Sequence, residues 1–594
     1  MGVVLSVQAQ LLLCGVVLLG LILAYRAVSP KPLPGIPHNR DAEKKLLGDI
    51  PELMRYVMKK KQIFSWLTSL TARHQSPIVQ AFFWPGKSPW VVVTDPYESQ
   101  DILLRRTKEF DRTLFKEMVG GILPYQHSHY LSTEHQFKHN RNLINHLMTP
   151  TFIGQVSARE VYKSVGTLIK VWQAKCDMAK GRPFPAHHDI TYAALDAIFA
   201  SSFGLPEAEG MTIQRLDAVR GHAPRLVVPG NADEPVEFPE GTIPTIFAAV
   251  LTIQDSVAIT QMSPAPVFAF WILRKLPKMK KATAIKDQYI RDQVAQSVEL
   301  IEQQEAEKGS AAEQQQQQQP RSALHSVLLR EREVAQKEGR RPDYYQRAIA
   351  DEFFGFTMAG HDTTATAVAW GLKYLTDHPA VQETLRAALR EAFPEALTQQ
   401  RSPTYEELSR AHVPYLDAIV EEVTRHANPV AFVARQAMQD TTVLGRRIPR
   451  GTDVLLMGMG PGYLEPNMRV DQDGVDADAM RSPGARLCGG KPLTSMWDDG
   501  DIGAFEPARW LKTDPETGAV RFDPMAGPNM AFGMGLRGCF GKRLALQALK
   551  LQFALLVWHF KFLKTPAELN SYDAVQKFAR EPTQCYLRLE RADF

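Results

Sequence analysis

The feature that most constrains this chain is a glycine-framed cysteine near its C-terminal end. Cys539 lies in the string Phe-Gly-Met-Gly-Leu-Arg-Gly-Cys-Phe-Gly, residues 532–541, and a long apolar helix is predicted to follow it. Glycines permit a tight loop and a close backbone approach to a bound group, while backbone N–H groups and a nearby cation stabilise a thiolate. A cysteine in this setting suits the axial thiolate of a haem iron, which favours cleavage of the O–O bond.

This loop resembles the haem-binding loop of the cytochrome P450 family, pattern F-x-x-G-x-R-x-C-x-G, and matches every defined position. The resemblance implies haem b, held through the sulfur of Cys539. A second string around Cys488 repeats part of the pattern, but it has Arg481 in place of the phenylalanine and no apolar helix after it. We therefore prefer Cys539. The loop residues predicted to bind the cofactor are Phe532, Gly535, Arg537, Cys539 and Gly541.

Composition excludes several classes of protein. The chain has 594 residues, 44% hydrophobic and 23% charged, as in a large globular protein. Its 69 basic and 65 acidic residues give a net charge of +4, which does not indicate binding to nucleic acid. The five cysteines are few, odd in number and widely spaced, which indicates a reducing compartment and not a disulfide framework.

The N-terminus is apolar. Residues 1–25 carry no charged side chain, and the stretch of about 3–25 is near the ~20 residues that span a bilayer. Arg26 and the lack of an earlier basic residue weigh against the alternative, a cleavable signal peptide. Basic residues after the stretch favour a cytoplasmic catalytic domain. The pattern resembles the anchor and hinge of eukaryotic P450s of the endoplasmic reticulum, which implies a single-pass protein of that membrane. The predicted division is an N-terminal segment with a transmembrane helix, 1–27, a proline-rich hinge, 28–45, and a catalytic domain, 46–594.

The rest of the chain predicts many helices and few, short strands. Strands are expected near Val91 to Thr94, Val454 to Met457 and Cys585 to Leu589. The predicted fold class is mainly α with small β-sheets (α+β), and the resemblance implies the cytochrome P450 fold. Two polar segments, 302–321 with a glutamine run and 465–501 with many aspartates, are predicted to be inserted surface loops. A calcium loop is the weaker reading of the second, because its glycine comes too early.

A long buried helix is predicted from Tyr344 to Asp377, and its middle reads Ala-Gly-His-Asp-Thr-Thr, residues 359–364. An acid and two threonines are unusual in such a helix, because they compete with the backbone for hydrogen bonds. The string resembles the oxygen-binding helix of P450s. The resemblance implies that Asp362 and Thr363 are catalytic and relay the protons needed for O–O cleavage. A threonine bonding back to the preceding turn is expected to open the helix locally.

Glu422 and Arg425 are spaced i, i+3 on a helix predicted from Pro414 to His426. Such a pair alone is weak evidence, since surface ion pairs of this spacing are common. It resembles the E-x-x-R motif of P450s, and Phe505 to Trp510 supplies the family's F-x-P-x-R-W segment with Arg509. The resemblance implies a buried, structural Glu–Arg–Arg triad.

Haem carries two propionates that need cationic partners. Arg537, Arg435 and Arg141 are the candidates, because arginine binds carboxylates through two parallel hydrogen bonds. Arg435 follows Arg425 by ten residues, where the family usually has a propionate ligand. Arg141 lies in a segment that resembles the family's W-x-x-x-R, with Phe137 in place of the tryptophan. A plain surface arginine remains the alternative for Arg141.

Two further surfaces are implied by family position. A Phe-rich pocket lining favours an apolar or aromatic substrate, with ordinary core packing as the alternative. A basic face favours docking of an acidic electron donor, with a solvated face as the alternative. The pocket residues are Phe353, Phe356, Ala359, Ala431, Phe432 and Val433. The basic residues are Lys138, His139, Arg141, Lys542 and Arg543.

Together with these features, the resemblance to P450s implies a membrane-anchored haem-thiolate monooxygenase. It would receive electrons from NADPH through a separate cytochrome P450 reductase, with cytochrome b5 as a further donor, and use O₂ to hydroxylate, epoxidise or couple a lipophilic small molecule. The glutamine run and acidic loop favour a filamentous-fungal enzyme of secondary metabolism. One alternative is a reductase-independent isomerase or dehydratase, which the intact Asp362–Thr363 pair disfavours. Another is a non-catalytic haem-binding membrane protein.

Overall fold

The computed structural model describes residues 7–112, 121–263, 265–306, 320–468, 477–486, 497 and 500–593. The chain divides into two compact units. The first unit comprises Met1–Thr113 and Phe432–Leu493, and the second comprises Leu114–Ala431 and Thr494–Phe594.

Helices dominate the described residues, and those of eight residues or more are numbered in chain order. They are α1 Val7–Val28, α2 Ile50–Lys60, α3 Phe64–His74, α4 Pro96–Leu104, α5 His135–Ile144, α6 Ala158–Ala179, α7 His187–Phe203, α8 Met211–His222, α9 Thr245–Met262, α10 Pro266–Leu273, α11 Pro277–Ala306, α12 Ala323–Lys337, α13 Arg347–Asp377, α14 Pro379–Ala392, α15 Pro414–Ala427 and α16 Lys542–His559. Shorter helices span Arg40–Glu43, Pro150–Phe152, Pro394–Thr398, Tyr405–Arg410, Ala477–Met480 and Pro483–Arg486.

The strands are short, as the sequence predicted. They are β1 Ile78–Ala81, β2 Trp90–Val93, β3 Phe110–Asp111, β4 Phe184–Pro185, β5 Phe432–Ala437, β6 Thr441–Val443, β7 Arg446–Ile448, β8 Asp453–Met457, β9 Leu511–Thr513, β10 Val520–Phe522, β11 Phe560–Leu563, β12 Ala574–Gln576, β13 Arg580–Pro582 and β14 Tyr586–Arg591. The mainly helical class with small sheets is confirmed.

The first unit contains a five-stranded sheet in the order β1-β2-β8-β5-β3. β2 and β8 are parallel, with Val91 to Val93 opposite Val454 to Leu456, and the other pairs are antiparallel. β-Branched and apolar side chains favour such buried strands, and both strands were predicted. The hairpin β6–β7 belongs to the same unit.

Part of the predicted inserted loop 465–501 is anchored within the first unit. Asp95 caps α4, and its carboxylate forms a buried ion pair with Arg481 at 2.7 Å. Ser482 Oγ donates to Asp101 at 2.7 Å. Buried charges are retained when they are paired and hydrogen-bonded. Arg481, within the predicted surface loop, is therefore buried and not solvated.

The second unit is built around α13, which is buried along most of its length. α7, α15 and α16 pack against it, and one continuous apolar core joins them. The predicted helix was expected to begin at Tyr344, but α13 begins at Arg347. α15 begins at Pro414 as predicted and ends at Ala427, one residue later than predicted, where Asn428 adopts a left-handed conformation. The small sheets β11–β14–β4, β9–β10 and β12–β13 complete this unit.

Some predicted features fall partly or wholly outside the described residues. In the predicted loop 302–321, residues 302–306 form the end of α11, and 307–319 are not described. Cys488 and the acidic residues at 471, 473 and 476 also lie outside the described part.

α1 forms where the sequence predicted a transmembrane helix at about residues 3–25. Within the described residues, however, no helix is both long enough and apolar enough to cross a bilayer. The predicted transmembrane helix is therefore not supported.

Candidate active site

The Cys539 loop is closed by its own backbone. The N–H of Cys539 donates to the carbonyl of Phe532 at 2.7 Å. Gly535 has φ +69°, in the left-handed region where a side chain is strained, so glycine is required there. Gly541 has φ −81°, and a Cβ added to it would meet nothing within 4 Å, so the protein chain does not itself require that glycine.

The Cys539 thiol is exposed and has several partners that favour its charged form. Surrounding protein atoms desolvate the group and raise its pKa above the usual value. The N–H of Gly541 and the charges of Lys542 and Arg141 act in the opposite direction. An accessible sulfur with backbone donors and cations beside it is the donor set that a thiolate ligand to haem iron needs. The residues present therefore fit a haem.

Arg141 and Arg537 are brought together around Phe137. Their guanidinium groups lie 5.8 and 4.4 Å from the centre of the buried Phe137 ring. Arg141 Nη1 donates to the carbonyl of Leu536 at 3.0 Å, and Arg537 Nη2 donates to the carbonyl of Tyr130. The phenylalanine that replaces the expected tryptophan thus contacts both cations through its ring face. Arg141 reaches the cysteine loop and is not an isolated surface arginine.

Arg435 lies on β5 in the first unit. It is buried there, and its Nη1 donates to the carbonyl of Ala434 at 2.9 Å. Its predicted role as a propionate ligand stays a prediction.

Asp362 is buried on α13, and both of its carboxylate oxygens accept hydrogen bonds. Gln254 Nε2 donates to Oδ1 at 2.6 Å, and the N–H of Ala579 donates to Oδ2 at 3.1 Å. Burial raises the pKa of Asp362 to about 7, and the negative charge of Glu581 adds to the effect. The hydrogen bond from Gln254 and the charge of Lys577 oppose it. A carboxyl group with this pKa can both hold and release a proton near neutrality.

Thr363 lies on an accessible part of the same helix. Its Oγ1 donates to the carbonyl of Ala359 at 2.8 Å, and Ala359 is exposed although most of α13 is buried. α13 nevertheless stays regular, so the expected local opening of the helix is not found. Gly360 faces α7 closely, since a Cβ there would lie 2.8 Å from Ile198 Cδ1. Its small size serves helix packing.

The Glu422 carboxylate is the centre of a buried network. Arg425 donates to both of its oxygens at 2.8 and 2.9 Å, whereas Arg509 Nε lies 3.9 Å away. Trp510 Nε1 donates to it at 2.8 Å, and His426 Nε2 lies at 3.3 Å. Burial alone would raise the pKa of Glu422, but the bonds from His426 and Arg425 hold it well below its usual range. The carboxylate therefore stays ionised.

The structure divides the predicted pocket residues. Phe353 and Ala431 are buried, and the Phe353 ring packs against Phe203 in the helical core. These two residues pack in the core, and their role in lining a substrate pocket stays a prediction. Phe356 and Ala359 are accessible on α13. Phe432 and Val433 are half-buried on β5 of the first unit.

Several partners were missed by the sequence analysis. Trp510 is the last residue of the F-x-P-x-R-W segment, which could have indicated that it contacts Glu422. For His426, the sequence offers only its position next to Arg425. Lys577 and Glu581 act on Asp362 from more than 200 positions away in sequence, and no motif links them.

Sequence comparison identifies known proteins that this chain resembles. The family model described as Cytochrome P450 matches residues 45–462 and 496–588. The chain belongs to the cytochrome P450 family. The match leaves 463–495 outside it, which is most of the predicted second insertion.

Its relatives include named monooxygenases from fungi. The chain is 34% identical over 592 residues to the cytochrome P450 monooxygenase TRI13 of Fusarium sporotrichioides, covering 97% of this chain and 98% of that protein. It is 33% identical over 577 residues to the cytochrome P450 monooxygenase GME11363 of Pestalotiopsis microspora, covering 97% of each. It is 37% identical over 277 residues to the Hps1-dma1 cluster cytochrome P450 monooxygenase cyp3.1 of Dothistroma septosporum, covering 45% of this chain and 86% of that one. This P450 is therefore an enzyme of the monooxygenase type, and its family implies a haem-thiolate iron.

Proposed function

We propose that this P450 takes two electrons from NADPH through a separate flavoprotein reductase and oxidises a lipophilic organic substrate with O₂. One oxygen atom enters the substrate, and the other leaves as water with two protons. The observation that carries the proposal is the accessible Cys539 thiol, with cations beside it, in the same compact unit as Asp362 and Thr363. Bound haem would supply the redox chemistry, and the protein would supply orientation, protons and exclusion of water.

The residues of the second unit have separate tasks in this proposal. The Cys539 thiolate holds the cofactor, and the guanidinium groups of Arg141 and Arg537 receive its propionates. The Thr363 hydroxyl is positioned by the Ala359 carbonyl to pass a proton on the accessible side of α13. Asp362 holds the next proton, because its pKa of about 7 lies near the working pH.

The electron donor would dock on a basic surface of the second unit. Lys138 and His139 on α5 and Lys542 and Arg543 on α16 are all exposed. Positive charge of this kind steers and orients an acidic partner. We propose the reductase as this partner, with cytochrome b5 as a second donor for the same face.

The substrate class rests on the accessible residues of α13. Phe356 and Ala359 offer an aromatic ring and a small apolar side chain, which suit an apolar or aromatic molecule. One relative is named as a member of a cluster in a fungus. We propose that this P450 acts in fungal secondary metabolism.

Residence at the endoplasmic reticulum is also a proposal. It is supported by the exposed apolar side chains of α1, among them Leu12, Leu18 and Leu21, and by the basic residues that follow. Fractionation of cells that express the full chain or the chain without residues 1–27 tests it. Equal recovery of both forms in the soluble fraction would refute the proposal.

The CO-difference spectrum of the reduced protein tests the cofactor ligand. We expect the Soret band of a thiolate-bound haem in the wild type and its loss in Cys539→Ser. Cys176→Ser is the matched control, since this half-buried thiol lies on α6 and not in the 532–541 loop. Substrate-dependent NADPH consumption with added reductase then tests the monooxygenase activity. Product formation that proceeds without reductase would support the isomerase instead.

A further inference from the structure

A charged hairpin turn lies against Asp362. The turn joins β12 to β13, and its Ala579 N–H is one of the two donors to the Asp362 carboxylate. The other donor, Gln254, comes from α9. Both carboxylate oxygens are therefore held by groups from outside α13, so the environment of this acid depends on α9 and the hairpin.

An ion pair crosses the same turn. Lys577 Nζ lies 2.8 Å from Glu581 Oε2, and the two residues flank Ala579 symmetrically in sequence. The Lys577 side chain is 47% exposed, whereas the Glu581 side chain is 5% exposed. His187 Nε2, at the start of α7, lies 3.4 Å from Glu581. The pair thus connects the buried surroundings of Asp362 with solvent.

The hairpin is held firmly in place. The N–H of Arg580 donates to the carbonyl of Pro429 at 2.9 Å, and Trp370 Nε1 donates to the carbonyl of Arg580 at 2.8 Å. The Arg580 guanidinium also lies 4.9 Å from the centre of the Trp370 ring. Because Trp370 is on α13, the backbone of the turn is attached to the same helix that contains Asp362.

The titratable groups that act on Asp362 or on its two charged neighbours come from four elements. The hairpin contributes Lys577 and Glu581, α9 contributes Asp255, whose charge acts on Lys577, and α7 contributes His187. On α13 itself, burial lowers the pKa of His361 to about 4, so this neighbour is neutral at pH 7. Glu581 and Lys577 are the charges that act on Asp362 directly, with opposite sign.

We propose that Lys577 and Glu581 are positioning residues that set how readily Asp362 is loaded with a proton. The inference rests on the proposed function, in which Asp362 passes protons to the reaction. Glu581 favours the protonated acid, and Lys577 favours the carboxylate. The pair acts through its two charges and takes no part in the proton transfer, so each proton that Asp362 gives up is replaced from solvent.

Infrared difference spectroscopy of the haem-loaded protein tests this inference without turnover. The C=O band of protonated Asp362 is identified by its loss in Asp362→Asn, and its intensity is followed from pH 5 to 9. We expect the midpoint to fall by about 1 pH unit in Glu581→Gln and to rise in Lys577→Gln, because a unit charge nearby shifts a buried acid by this order. Glu590→Gln is the control, since its pair with Lys561 is exposed.

Each outcome decides the matter. Opposite shifts in the two hairpin variants, with no shift in the control, support the inference. Unchanged midpoints in both variants overturn it, even if their thermal stability falls, because a merely structural role changes stability alone. If Glu581→Gln fails to fold, the direction in Lys577→Gln decides. Shifted midpoints in a protein that never oxygenates a substrate would refute the proposed function and still support the effect of the two charges on Asp362.

Discussion

Trp510 donates its indole N–H to the buried carboxylate of Glu422 at 2.8 Å, closer than the expected partner Arg509 at 3.9 Å. The bonds from Arg425 and Trp510 reach Glu422 from α15 and from the segment after residue 500. The carboxylate therefore joins two distant parts of the second unit, and the tryptophan of the motif is as much a part of the network as its arginine.

Removing the Glu422 charge should strongly destabilise this unit. Glu422→Gln leaves the Arg425 cation buried without a counter-charge, which costs about 3–5 kcal/mol. Trp510→Phe removes one hydrogen bond to a charged group and should cost about 1–3 kcal/mol. The free energy of unfolding in urea is measured by tryptophan fluorescence for Glu422→Gln and by circular dichroism for Trp510→Phe. The exposed Glu516→Gln serves as control. A Glu422→Gln protein as stable as this control would contradict the network.

The stability conferred by Asp362 should depend on pH. Its pKa is raised from 3.8 to about 7 on folding, so the folded state binds a proton more tightly than the unfolded state. The free energy of unfolding of the wild type therefore falls as pH rises from 3.8, where the unfolded carboxyl group ionises, to about 7, where the folded one does. Asp362→Asn does not ionise, so its unfolding midpoint relative to wild type should increase from pH 5 to pH 8. Thermal unfolding at four pH values measures this, with exposed Asp573→Asn as control. A pH-independent difference would show that the acid is not perturbed.

Thr363 should control how efficiently electrons are used. Thr363→Val keeps the shape of the side chain and removes the hydroxyl that donates to Ala359. We expect product formed per NADPH to fall about tenfold or more, with hydrogen peroxide released instead. Thr363→Ser keeps the hydroxyl and should stay near wild type. Equal coupling in the valine and serine variants would exclude a role for the hydroxyl.

Arg141 should contribute to cofactor retention. Arg141→Gln removes the charge that lies near both the cysteine loop and Phe137, and a lost bond to a charged group weakens haem binding about tenfold or more. The haem-to-protein ratio after dialysis against apomyoglobin measures this. Arg159→Gln removes an exposed arginine paired with Glu406 and should retain haem normally. Equal haem loss in the two variants would argue against the propionate role.

Local patterns predicted the elements well. The runs at Val91 and Val454 are strands, and the helix predicted to begin at Pro414 does begin there. These features depend on residues close in sequence, so the local pattern of side chains is enough to find them.

Long-range contacts were harder to predict. Phe353 packs in the core because Phe203 meets it from another helix, and helical position alone did not reveal this. The surroundings of Asp362 were missed for the same reason, since Ala579 and Glu581 lie on a hairpin near the C-terminus. A motif identifies the residue that does chemistry, whereas the groups that tune it follow from tertiary structure.

The anchoring of Arg481 bears on how this chain can be shortened. Most of its surrounding segment has no counterpart in the family model, which makes it a natural target for deletion in engineered forms. Removing it whole would leave the buried Asp95 carboxylate, at the start of α4, without its arginine partner. A shortened enzyme should therefore keep residues 481–484 and be cut on either side of them, so that Asp95 keeps Arg481 as its partner.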